Sequence, residues 1–363
     1  LFGLHGLWFA RRAVRQIRTW ESERSQVVSN FFNDRFVSRR GFLGRTLAGA
    51  ATATALGAIA ADKAKEPNPF AYDVSRFTVT DPKLIRYEQK RVFAAPQRLP
   101  KAIALAANGN LLIGAGKFVS EIKPDGSLVS EIRTNEDVRC LAAGEDLIYV
   151  GSRERIEVFS AKGERKGAWD KPADKTYFTS LAVGANDVFA ADAGQRLVLR
   201  YDRSGKMVSR LGERNKERNV PGFIVPSPFF AARLAKDGLL RITNPGRHRV
   251  EVYTADGYFE QSWGKPGAAI EHFCGCCNPT NLTLLSDGRV VTFEKGIPRV
   301  KVYAADGAFE SVVAGAESFA ENAKVCGPND CTLGGLDGVS DADGRIYILD
   351  FVAANIRVME RKA

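Results

Sequence analysis

The chain has 363 residues, 45% hydrophobic and 26% charged, with 34 Gly, 6 Cys, 3 His and 2 Met. That is globular composition with enough length for a large core, and no run of eighteen or more apolar residues marks a membrane span. The formal charge of +10 does not signal nucleic-acid binding, because residues 1–61 hold nine Arg, no Lys and three acids and leave only +4 on the rest.

Residues 38–44 read Ser-Arg-Arg-Gly-Phe-Leu-Gly, and an Ala-, Gly- and Thr-rich stretch runs from Thr46 to Ala60. Paired arginines, Phe-Leu and a mildly apolar segment resemble a twin-arginine (Tat) export signal, and Ala58-Ile59-Ala60 fits the small-x-small cleavage rule. The resemblance implies export of an already folded protein, often with a cofactor inserted, to an oxidising periplasm where disulfides are permitted. A retained N-terminal membrane anchor is the alternative, but a span needs about twenty more strongly apolar residues. Residues 1–37 carry no initiating Met and form a long stretch ahead of the Arg pair, as expected of an over-extended or truncated gene start. The expected organisation is an extension plus signal over 1–61, a polar linker with Pro67, Pro69 and Pro82 over 62–84, and a folded domain over 85–363.

Within that domain one unit recurs. A short apolar strand leads into a tight turn, as in Ala102-Ile-Ala-Leu-Ala-Ala-Asn-Gly109, Phe230-Ala-Ala-Arg-Leu-Ala-Lys-Asp-Gly238 and Asn281-Leu-Thr-Leu-Leu-Ser-Asp-Gly288. A second strand follows, such as Val290-Val-Thr-Phe293, then a strictly alternating third: Ile156-Glu-Val-Phe159, Val250-Glu-Val-Tyr253, Val300-Lys-Val-Tyr303. Period-two alternation predicts half-buried strands. The glycines of the next turn, Gly126, Gly163, Gly205, Gly257 and Gly307, lie 37, 42, 52 and 50 residues apart. Four strands in forty-odd residues is the spacing of a propeller blade. Six first strands are present, and the sixth unit ends after its third strand, Ile356-Arg-Val-Met359. The segment from Ile85 to Phe93 is expected to supply the missing strand and close the ring, removing exposed edges. The fold class is therefore all-β, a six-bladed β-propeller.

The units resemble NHL repeats, as in Asp343-Gly-Arg-Ile-Tyr-Ile-Leu-Asp350 and Arg299-Val-Lys-Val-Tyr-Ala-Ala-Asp-Gly307. The resemblance covers residues 85–363. It implies the fold and leaves function open, since that family includes lyases, RNA binders and protein-binding scaffolds.

The long segments are the blade-to-blade crossings near 212–229, 264–280 and 315–335, all expected on one face. The second holds Cys274, Cys276 and Cys277, and the third Cys326 and Cys331. Cys274 with Cys277 (C-x2-C) and Cys326 with Cys331 (C-x4-C) suit a four-cysteine zinc site or an iron–sulfur cluster, with Cys276 spare. Disulfides between the two loops are the alternative without metal. Cys140 lies in an inner strand and reads as a small buried hydrophobe. Weaker candidates at the channel mouth are His272, Asp192, Asn244, Glu294 and Asp350; the last four end second strands, where they either bind a cation or cap turns and hold Arg196, Arg249 and Arg299. Outside the leader only His248 and His272 remain, too few for a histidine-built catalytic zinc site, and no C-x-x-C-H marks a covalent haem.

The expected function is an exported propeller with a cysteine-rich metal or iron–sulfur site, acting as a redox or electron-transfer accessory to a periplasmic or membrane protein partner. A disulfide-stapled binding scaffold and a divalent-cation-dependent hydrolase or lyase are the alternatives.

Overall fold

The structure, a computed structural model, describes residues 75–320 and 334–363. The twin-arginine stretch and both Cys326 and Cys331 lie outside the described residues. Six four-stranded antiparallel sheets form, each built from strands consecutive in sequence except the last. The inner strands Pro100–Leu105, Cys140–Ala143, Phe178–Val183, Ala232–Leu234, Asn281–Leu284 and Leu336–Ser340 each touch the next around a ring, and the sixth touches the first. Blades are numbered one to six in that order. In blade six, Tyr87–Ala94 pairs antiparallel with Asn355–Arg361, with Tyr87 opposite Arg361 and Ala94 opposite Asn355. The chain is thus a six-bladed β-propeller closed by its earliest described strand. Its described helices are single 3-10 turns, and none is long and apolar enough to cross a membrane.

The recurrent turn glycines make the joints between blades. Gly205 and Gly307 have φ of +92° and +93°, and a Cβ there would lie 2.3 Å from Trp169 and 2.1 Å from Trp263. Both tryptophans end the fourth strand of the preceding blade. Only glycine accepts that backbone and that approach at once. Trp169 continues the joint, its ring 5.1 Å from Tyr201 and 5.5 Å from Tyr149.

The third strands differ from their alternating pattern. Glu157, Glu251 and Lys301, at the polar positions, are buried at 5%, 0% and 0% exposure. The reason is architectural: neighbouring blades and crossings cover both faces of a sheet, so a polar residue there needs a partner rather than water. Glu157 accepts from Arg165 Nε at 2.9 Å and from the Asn135 backbone N–H at 3.0 Å. Glu251 accepts from Arg249 Nε, Asn244 Nδ2 and the Tyr253 hydroxyl at 2.7, 2.8 and 2.7 Å. Lys301 serves the site described next.

Candidate functional site

Turns between second and third strands share one face of the ring with the blade crossings. On it the 264–280 crossing doubles back, with the Phe273 N–H donating to Lys265 O at 2.9 Å and the Gly267 N–H to Phe273 O at 3.1 Å. Phe273 is fully buried, 5.7 Å from the Tyr303 ring and 6.3 Å from Trp263, with the Lys301 ammonium 4.5 Å over its face.

Blade five holds this loop from beneath. Arg299 donates to Ala268 O and Ala269 O at 3.0 and 3.3 Å and to His272 O at 3.0 Å. Lys301 donates to Ile270 O at 2.9 Å and His272 O at 2.7 Å, and the Tyr303 hydroxyl to Glu271 O at 3.1 Å. Five consecutive loop carbonyls are therefore bound by alternate residues of one strand and the residue before it. Glu294, 0% exposed, balances the charge: it accepts from Arg299 at 2.8 Å, from Lys301 at 2.7 Å and from the Cys274 N–H at 3.3 Å. Burial drives the Lys301 ammonium down to about 8 despite Glu294, and Arg299 pushes the same way.

Above this base Cys274–Cys277 form a tight turn through Gly275, at φ +88°. Asn278 closes it, donating to Lys295 O at 2.8 Å and accepting from Lys295 N–H at 3.0 Å, and its amide also reaches Cys274 O. The His248 ring, from the turn of blade four, hydrogen-bonds Gly275 O through Nε2. Cys276 is exposed, Cys274 half-buried and Cys277 buried, and the Cys276 and Cys277 sulfurs are 3.4 Å apart. The Cys276 contact and then burial push the Cys277 thiol well up, against the charge of nearby Lys295. Burial likewise raises Cys274, opposed chiefly by Arg299.

Of the sequence candidates, the structure therefore gathers Cys274, Cys276, Cys277, Glu294 and His272 around one crossing. It is Cys276, spare in the C-x2-C reading, whose sulfur meets that of Cys277. His272 is partly exposed, its Nε2 3.9 Å from Glu271. The other mouth candidates stay apart, each committed to its own turn. Asp192 accepts from the Tyr177 and Gln195 N–H groups at 2.9 and 3.0 Å. Asn244 accepts from the Ile224 N–H at 3.0 Å and donates to Glu251. Asp350 accepts from the Val352 and Ala353 N–H groups, both at 2.9 Å. Among the described residues no three or more His, Cys, Asp or Glu side chains are arranged to hold a metal ion. Lys301 and Phe273 belong to no metal-binding or catalytic motif in the sequence. The available signal was a lysine at the third-strand position that carries Glu in blades two and four.

No family model matches the chain, and no curated protein matches it in sequence, so NHL character remains a resemblance between repeat units. Solved structures do match. Streptogramin B lyase aligns with 76% of this chain and 97% of its own, at TM-score 0.51 and 14% identity. A catalytically inactive virginiamycin B lyase from Staphylococcus aureus with quinupristin aligns with 76% and 100%, at TM-score 0.52 and 12% identity. A structural genomics protein of unknown function from Bacteroides thetaiotaomicron aligns with 76% and 72%, at TM-score 0.53 and 14% identity. At such identities the likeness shows the propeller fold alone.

Proposed function

We propose that this is an exported propeller whose loop face carries a metal–thiolate centre, zinc or iron–sulfur, and that it acts through that face as an accessory to a redox partner in the periplasm or membrane. The observation that carries the reading is the pair of sulfurs, Cys276 and Cys277, 3.4 Å apart on a loop fixed by Arg299, Lys301 and Tyr303. Two thiolates on one tetrahedral zinc, with Zn–S near 2.3 Å, lie roughly 3.8 Å apart, so the pair needs little opening to fit. Lys295 beside Cys277 and Arg299 beside Cys274 offset only part of the upward push on these thiols, so binding metal would have to displace their protons, and uptake should rise with pH. Cys326 and Cys331 would complete four ligands with Cys276 and Cys277, leaving Cys274 as the remaining loop thiol. A bound cluster would supply one-electron transfer, and zinc would supply a structural clamp.

The exported alternative, a scaffold with disulfide-stapled loops, uses the same cysteines. The cation-dependent hydrolase or lyase reading has less support, since Asp192, Glu294 and Asp350 are each engaged by separate blades. Metal analysis with thiol counting on anaerobically purified protein separates these. Metal retained by the parent protein and lost in both C277S and C331S is the expected result. Metal content unchanged in both variants overturns the ligand set. Metal-free protein with two disulfides, leaving Cys140 and one loop cysteine reduced, moves the reading to the scaffold.

A further inference from the structure

Across the channel from the cysteine loop, the inner strands of blades one and two bring two cations to the mouth. Lys101 is the second residue of the first strand, and Arg139 immediately precedes the second blade's first strand. Neither has a carboxylate partner among the described residues. Lys101 is solvent-accessible, yet burial pulls its ammonium below the usual lysine range and the charge of Arg139 adds to that pull. Arg139 stacks its guanidinium 4.9 Å from the Tyr177 ring centre, and its Nε is buried with no hydrogen-bond partner. Nearby charge is already matched: Arg233 reaches from blade four to Asp337 of blade six at 3.5 Å and to the Ser180 hydroxyl of blade three. Lys101 and Arg139 are thus the excess, two positive charges on adjacent blades.

The wall beside them is aromatic. The Lys101 ammonium sits 5.8 Å from the Phe351 ring centre. Phe351 and Phe229 flank Gly335, where a Cβ would lie 3.2 and 2.9 Å from their rings. Positive groups at one end and an apolar wall alongside suit an anion with an apolar body.

We propose that the channel mouth binds a small organic carboxylate, its head on Lys101 and Arg139 and its apolar body against Phe351. Holding the Arg139 guanidinium over the Tyr177 ring restrains it before the ligand arrives, which lowers the ordering cost of binding. The site is separate from the cysteines, so its occupancy does not depend on the metal reading.

The test is calorimetric titration of the full chain with benzoate and with its neutral isostere benzamide. Saturable benzoate binding is expected, at least tenfold tighter than benzamide, weakened tenfold or more in K101M and in R139M, and kept within about threefold in K101R and in C277S. Circular dichroism confirms that each variant is folded, and K101R keeps the question answerable should K101M not fold. Equal affinity for benzoate and benzamide overturns the proposal. So does an affinity unchanged in a folded K101M or R139M, or the absence of saturable benzoate binding.

Discussion

The two sides of the loop face treat buried positive charge in opposite ways. Under the cysteine crossing, Arg299 and Lys301 are almost wholly enclosed, matched by Glu294 and spent on backbone carbonyls. Across the channel, Lys101 and Arg139 have aromatic neighbours and, among the described residues, no carboxylate partner. Charge with every donor satisfied by its own chain is structural reinforcement, and charge left over at an accessible mouth is capacity to bind something else. The same residue types thus mean different things, and the bonding partners decide which.

Breaking the reinforced side should cost most. Glu294→Gln leaves two buried cations without their counter-charge and should lower unfolding stability by about 4 kcal/mol in a denaturant titration. A loss under about 1 kcal/mol would mean that the carbonyls alone support Arg299 and Lys301. Phe273→Ala removes a fully buried ring between Trp263, Tyr303 and Lys301, and about 3 kcal/mol is expected by the same measurement. A smaller, pH-dependent effect attaches to Lys301, which titrates at about 8 in the fold and near 10.5 when unfolded. Between those values the unfolded chain binds more protons, so the stability contributed by this group rises with pH from about 8 to about 10, while below 8 the cost of its buried charge is fully present. The melting temperature of the parent protein should therefore gain on that of K301M between pH 8 and 10, and a flat difference would contradict the buried titration. The smallest effect belongs to the other side. Lys101→Met removes a charge with no carboxylate partner among the described residues and should leave stability within about 0.5 kcal/mol, while weakening carboxylate binding tenfold or more. If K101M proved as damaging as E294Q, the contrast between the two sides would collapse.

The fold was legible because its signals are local and repeated. Gly205 and Gly307 mark joints that accept no side chain, and the truncated last unit pointed to a closing strand, found at Tyr87–Ala94. The site was legible only in part. Cysteine spacing located the loop, but spacing along a chain does not say which sulfurs meet, and Cys276 meets Cys277. Glu294 looked like a mouth residue because it ends a second strand, whereas its carboxylate points under the crossing to Arg299 and Lys301. Lys301 looked solvent-facing because alternation reports sheet faces, and in this ring both faces are covered. Lys101 and Arg139 gave no motif at all, because strand and crossing from different blades bring them together.

Closure of the ring also sets an order in time. Tyr87–Ala94 leaves the ribosome before any blade exists, and its partner, Asn355–Arg361, leaves after all the others. The first described strand is therefore bonded last, across a separation that makes the pairing slow. Until then the Asn355–Arg361 edge of the last sheet stays available to other chains, so aggregation during synthesis competes with completion. Once closed, the ring has no terminal edge from which to peel, and removing the single strand Asn355–Arg361 would reopen it on both sides at once.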